Sequence, residues 1–187
     1  MHNPGQKGIR LGGDNTELHE SSFSQDPANE FNIPQTHTAF DYWRSGGLLT
    51  IRNVKLTEIS AEAGTNNEER QNMVVDGFDV NFSTTRGTNT TSVKFQCMRN
   101  FRGKRMRILN PINDNRASFK ITVQLNRAYI TDSQFSGWIG MEGDTKYERC
   151  RFGHEDNAMP DMFYAMNDGR HLHLVDCDII NVTNATS

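Results

Sequence analysis

Residues 172 to 179 read Leu172-His173-Leu174-Val175-Asp176-Cys177-Asp178-Ile179. Leu172 and Leu174 sit two apart, as residues sharing one face of a β-strand do. Asp176 interrupts that alternation, and Cys177 and Ile179 resume it out of phase. Two strands meeting at a corner leave this pattern, with inward residues on both arms and a small polar residue at the bend. Aspartate and asparagine suit a bend because their side chains bond neighbouring backbone.

The pattern recurs along the chain. It is found as Leu49-x-Ile51-x-Asn53-Val54-x-Leu56, as Met73-x-Val75-x-Gly77-Phe78-x-Val80 and as Val93-x-Phe95-x-Cys97-Met98. It returns as Ala128-x-Ile130-x-Asp132-Ser133-x-Phe135 and as Thr145-x-Tyr147-x-Arg149-Cys150-x-Phe152. Successive copies are offset by 24, 20, 35, 17 and 27 residues. Stacked copies set like residue over like. Cys150 and Cys177 share one slot and Cys97 falls one position earlier, which favours inward thiols acting as small hydrophobes over a metal site.

On the residues Ile51-Arg52-Asn53-Val54-Lys55-Leu56, Ile130-Thr131-Asp132-Ser133-Gln134-Phe135 and Leu174-Val175-Asp176-Cys177-Asp178-Ile179, the chain resembles a right-handed parallel β-helix. This is the pectate-lyase-like solenoid of polysaccharide lyases and bacteriophage tailspikes. The fold class expected is therefore all-β: a short solenoid over about residues 48–187, with an extended N-terminal arm over 1–47. The alternative is an antiparallel β-sandwich or jelly roll, because short alternating strands at such spacing fit that too. A solenoid this short needs its ends capped. The polar tail Asn181–Ser187 is a weak cap, and the resemblance implies a homotrimer.

Composition narrows the function classes. The chain has 187 residues, with 20 Lys and Arg against 23 Asp and Glu and a formal net charge of −3. That excludes a chain-wide basic field for nucleic acid. Mean hydropathy is −0.70, and no run of 18 apolar residues occurs, so no membrane insertion is expected. No apolar region follows Met1, so the expectation is synthesis in a host cytoplasm without a signal peptide. Three cysteines without C-x-x-C spacing make a disulfide framework or a cysteine-based zinc site improbable. Nineteen asparagines favour a turn-rich protein.

Residues 1–47 hold 12 apolar residues, spaced without a regular period. Ile9, Leu11, Phe23, Phe31, Ile33, Phe40, Tyr42 and Trp43 stand as isolated anchors. The segment reads either as a flexible tail or as an arm laid along a partner surface, with those eight residues docking. The stretch Ile59–Arg70 is polar, holds Gly64 and reads as a loop.

No constellation compels a reaction, so no catalytic residue, cofactor or metal is expected. Asp76, Asp79, Asp176 and Asp178 read as carboxylates on a solvated face. A carbohydrate-active site would draw on Asp132, Asp144, Asp161, Asp168, Arg149 and Arg170. A glycan-binding module would stack sugars on Trp138, Tyr147 or Tyr164. His171 and His173 share one strand face but have no third ligand placed by sequence. The local charge anomaly is Arg99, Arg102, Lys104, Arg105 and Arg107, five cations in nine residues with Phe101 and Met106 between them. It reads as a solvated loop balanced by Glu62, Glu68 and Glu69, as a contact for an acidic protein, or as a polyanion patch.

The expectation is a non-enzymatic virion structural protein of a tailed bacteriophage: a head decoration or cement protein, or a small spike. Its partners would be its own copies and other virion proteins, such as the major capsid protein. The alternative is a carbohydrate-active β-helix or a glycan-binding module, taking a surface glycan. The virion assignment rests on the resemblance, since a fold does not fix a function.

Overall fold

The computed structural model describes residues 7–11, 15–24, 38–42, 47–57, 60–63, 72–81, 93–97, 100–109, 117–123, 128–136, 138–141, 143–153, 159–165 and 171–186. These residues form nineteen strands and no helix, hence no helix long and apolar enough to cross a membrane. In chain order the first strands are β1 (Lys7–Leu11), β2 (Asn15–His19), β3 (Ser22–Ser24), β4 (Thr38–Tyr42), β5 (Leu48–Thr57) and β6 (Ser60–Ala63). Next come β7 (Asn72–Asn81), β8 (Val93–Cys97), β9 (Asn100–Leu109), β10 (Ala117–Val123), β11 (Ala128–Thr131), β12 (Gln134–Ser136) and β13 (Trp138–Met141). The last are β14 (Thr145–Glu148), β15 (Arg151–Gly153), β16 (Met159–Ala165), β17 (Leu172–Val175), β18 (Asp178–Ile180) and β19 (Val182–Thr186).

The strands divide between two sheets. The first has the order β1-β4-β6-β8-β10-β13-β16-β19. The second starts with β2 and β3 beside β5, continues through β7 and β9, then through β11 with β12 and β14 with β15, and ends at β17 with β18. Along the chain, visits to the first sheet alternate with visits to the second, from β1 to β19. The described pairings are all parallel, unlike the antiparallel pairing a sandwich or jelly roll requires.

Register makes columns of like residues. In the second sheet one column runs Leu18, Ile51, Val75, Gly103, Ile130, Tyr147, Leu174. Another runs Phe23, Leu56, Val80, Ile108, Phe135, Phe152, Ile179. Val93, Phe95, Ile139 and Phe163 of the first sheet join the same buried core. Phe78 lies 5.5 Å from Phe95 across the two sheets, and Phe152 lies 4.9 Å from Phe163. Each such side chain contributes about 1.5–3 kcal/mol when fully buried.

Three expectations change. Of the copy aligned at Val93–Met98, Val93–Cys97 belongs to the first sheet, as β8. The second-sheet unit there is Phe101-x-Gly103-x-Arg105-Met106-x-Ile108. Gly103 replaces an apolar residue in it because a Cβ would press on Met106, Phe101 and Ile130. Ser60–Ala63, expected in a loop, is a strand, and so is Val182–Thr186 of the expected cap. Residues of the expected arm are extended, but they are paired: β1 and β4 lie in the first sheet, β2 and β3 in the second. Leu18 is buried there and Phe23 packs on the core.

Candidate functional site

The site is built on the bends of the second sheet. Each unit places one residue at positive φ: Glu20 (45°), Asn53 (51°), Gly77 (70°), Arg105 (51°), Asp132 (50°), Arg149 (52°) and Asp176 (51°). This left-handed backbone suits Gly, Asn and Asp. It turns the strand so that Ile51 and Val54, three apart, are both buried. Parallel register then stacks the bends into a column whose side chains point outward. Asn53 donates from Nδ2 to Glu20 Oε1 at 2.6 Å along it.

Arginine is unusual at such a bend, and both arginines are held by carboxylates of a preceding strand. Arg105 Nε donates to Asp76 Oδ1 at 2.7 Å. Arg149 grips Asp132 with two bonds, Nε to Oδ1 at 2.7 Å and Nη2 to Oδ2 at 3.2 Å. Two residues beyond the bend, Arg107 Nη1 donates to Asp79 Oδ1 at 3.0 Å. The bond from Arg149 holds the Asp132 carboxyl below the usual carboxylate range. Hydrogen bonding to Asp76 likewise raises Arg105, and bonding to Asp132 and Glu148 raises Arg149.

Beside the column, Glu148 collects three donors. Tyr129 donates its hydroxyl to Oε2 at 2.7 Å, Lys146 donates to the same oxygen at 2.9 Å, and Arg149 donates to Oε1. The Tyr129 and Lys146 bonds dominate in pushing Glu148 down to about 2. The same carboxylate raises the Tyr129 and Lys146 pKa values. The Lys146 ammonium also lies 5.2 Å from the Tyr129 ring centre, within cation–π range.

Arg105, Arg107, Asp132, Gln134, Arg149, Arg151, Asp176 and Asp178 line an open groove of 510 Å³. It offers alternating guanidiniums and carboxylates, a surface suited to polar, hydrogen-bonding partners. Among the described residues no aromatic ring lines it and no cluster of three metal-ligating side chains forms.

The basic run lies on this face. Arg102, Lys104, Arg105 and Arg107 are exposed on β9, inside the sheet and not in a loop. The partners of Arg105 and Arg107 are Asp76 and Asp79, not the glutamates expected from sequence. Arg99, Glu68 and Glu69 lie outside the described residues, as do Phe31, Ile33, Trp43, Asp168 and Arg170. Ile9 and Leu11 lie on β1, and Phe40 and Tyr42 on β4, where Ile9 pairs with Phe40 and Leu11 with Tyr42. Asp161 pairs in register with Asn184.

Of the aromatic platforms, Tyr147 is buried at 0% exposure and cannot stack a sugar. Trp138 and Tyr164 lie on β13 and β16 of the first sheet. Asp144 accepts the backbone N–H of His171 at 3.0 Å, and the His171 and His173 rings are 6.3 Å apart. Cys150 is buried, and burial pushes its thiol up to about 11. Cys177 stacks on it in register and is half-buried. Tyr129 and Glu148 are the residues that sequence reasoning missed. Their link needs the β11–β14 register, in which Thr131 faces Glu148 and Tyr129 faces Lys146.

Comparison with protein-family models, with curated proteins and with solved structures finds no match to this chain.

Proposed function

We propose that the two sheets are walls of one right-handed parallel β-helix, and that the chain is a non-enzymatic structural module of a larger assembly, of the virion type. Alternation of successive strands between two parallel sheets, over one shared core, supports the winding. The right hand follows from the general preference of parallel crossovers. The resemblance to phage tailspikes adds the virion setting and three copies side by side.

One observation carries the structural reading. Arg105, Arg107 and Arg149 of the second sheet are spent on the carboxylates of Asp76, Asp79 and Asp132, while the inward columns end exposed on β17 and β18. Leu174 is 37% and Ile179 42% exposed, where their neighbours Tyr147 and Phe152 are at 0%. A surface organised this way supports stacking and docking more than bond-making.

The absolute mass of the purified chain by light scattering tests the assembly. Three copies of the 21.3 kDa chain are expected. A monomer at every concentration up to the millimolar range would remove self-assembly from the reading.

A second reading has its own observation, the 510 Å³ groove lined by four arginines and three aspartates. It favours recognition of a polar glycan. Titration with acidic and neutral surface oligosaccharides, followed by calorimetry, tests it. Absence of heat for both classes would dispose of it.

A further inference from the structure

We infer that the outer edge of β17 and β18 receives an extended cationic strand from a partner protein. This rests on the structural reading above and adds the surface and the chemistry of what docks there.

Three features of the edge converge. First, β17 and β18 end the second sheet and have described neighbours on one side only, β14 and β15. An open edge presents backbone donors and acceptors to an incoming strand. Second, Leu174, Val175 and Ile179 are 37%, 37% and 42% exposed. Leu174 and Ile179 continue columns that are buried in the preceding units. The occupant therefore carries apolar residues at those two slots.

Third, the outward charges give the occupant a sign. In two of the units before, a carboxylate at the bend or two residues beyond it is answered by an arginine of a later strand, while Glu20 is answered by Asn53. Asp132 is answered by Arg149, and Asp79 by Arg107. Asp176 and Asp178 fill those same two slots on the edge, are exposed, and form no ion pair among the described residues. An occupant in register places one cation over the Asp176 bend and another over Asp178. Its pattern is apolar-x-apolar-x-cation-x-cation-apolar, extended and bent at the first cation.

A second copy of this chain fits poorly. The β2–β3 edge, which also has described neighbours on one side only, sets Glu20 and Ser22 at those two slots, so head-to-tail stacking puts Glu20 against Asp176. Two copies meeting by the same edge bring Asp176 against Asp176. Two units carry cations at both slots, and both are enclosed: Thr145–Phe152, with Arg149 and Arg151, lies between β11 with β12 and β17 with β18, and Phe101–Ile108, with Arg105 and Arg107, lies between β7 and β11 with β12. The charge pattern therefore favours a strand of a partner protein over a second copy of this chain.

The Phe101–Ile108 unit, with valine at its Gly103 slot, supplies the probe. A labelled peptide, Phe-Arg-Val-Lys-Arg-Met-Arg-Ile, is titrated into the full chain and read by fluorescence anisotropy. A second peptide carries Asp in place of the residues matching Arg105 and Arg107. Saturable one-to-one binding is expected for the first, and binding weaker by about tenfold for the second. The chain variant Asp176→Arg with Asp178→Arg should reverse that order, since arginine already occupies the same bend at Arg105 and Arg149. Leu174→Glu with Ile179→Glu should abolish binding of both peptides while leaving the circular dichroism unchanged. Equal binding of the two peptides, no binding of either, or preference unchanged in the Asp176/Asp178 variant would overturn the inference. If the chain still self-assembles while neither peptide binds, this edge is lost and the structural reading stands.

Discussion

Arg149 and Asp132 face each other at adjacent bends of the second sheet, joined by two hydrogen bonds of 2.7 and 3.2 Å, each residue at a φ near +50°. The pair bolts two consecutive units at the point where the strand direction changes. Arg105 with Asp76 and Arg107 with Asp79 join such adjacent units by the same charges, both two units earlier. Opposite charges at such slots reward the native register, because a slip by one unit sets like against like.

Breaking this pair should cost little stability but be repaired by exchange. Asp132→Arg and Arg149→Asp singly place like charges together and lower the melting temperature by a few degrees. The double exchange should recover most of that loss. Both effects should shrink in high salt, since the groups are exposed and screened. Identical melting curves for the singles and the double would show that the pair does not set the register.

Acid should act through Glu148. Its carboxyl is held at about 2 in the folded chain, against 4.5 for the free group, mainly by Tyr129 and Lys146. A depressed acid contributes its stability above the unfolded value and loses it as pH falls through the folded one. The contribution is therefore complete above about pH 4.5 and decays towards pH 2. Tyr129→Phe removes the leading donor and should raise the Glu148 pKa, measurable by carboxyl-resolved NMR titration. A Glu148 titration that Tyr129→Phe leaves unmoved would contradict the geometry.

Among the described residues the core holds one polar misfit. The Tyr147 hydroxyl is buried without a hydrogen-bond partner among the described residues, and burial raises its pKa. An unmet buried hydroxyl costs about 1–3 kcal/mol. Tyr147→Phe keeps the ring against Phe135, Phe152 and Phe163 and should stabilise the fold by about 1 kcal/mol. Phe152→Ala in the same cluster should cost about 3–5 kcal/mol. Denaturant melts of the two variants moving in the same direction would refute this account of the cluster.

Backbone space decides a third position. Gly153 has a φ of 99°, and a Cβ there would run into the Ile180 carbonyl of the neighbouring strand. Backbone cannot step aside as a side chain can. Gly153→Ala should lose about 1–3 kcal/mol in denaturant unfolding. Asn53→Gly, at a bend with φ 51° and an outward side chain, should stay within about 1 kcal/mol. Equal stability of the Gly153 variant and the parent would mean that the strands separate there.

The units legible in sequence were those that fill the inward slots with apolar residues and the bend with Asn, Gly or Asp, such as Leu49–Leu56 and Ala128–Phe135. The unit at Phe101–Ile108 hides because Gly103 and Arg105 stand where those signals should be. Its charges draw the eye to a basic patch instead. Thr16–Phe23 hides because Leu18 and Phe23 alone carry its apolar pattern. First-sheet strands such as Ser60–Ala63 and Val182–Thr186 are short and polar, so alternation fails there. The site is partly legible: the cations of β9 and the aspartates stand out in the sequence, but their pairing does not. Pairing depends on register across units whose bends lie 17 to 33 residues apart, and no local pattern encodes that.

Removal of residues 1–47 is the sharpest test of how the N-terminal segment relates to the rest. As a free docking arm, its loss would leave the body's stability unchanged. The structure pairs β2 and β3 along β5, buries Leu18 over the Ile51 column and packs Phe23 beside Leu56. The truncated chain should therefore expose Leu49, Ile51 and Leu56 on a new edge. It should lose at least about 2 kcal/mol, the worth of one well-buried leucine, and aggregate more readily through the uncovered strand. Denaturant melts and light scattering of the full and truncated chains measure both effects. An equally stable, monodisperse truncated chain would return the segment to the role of an independent arm, because covering β5 would then contribute nothing to folding.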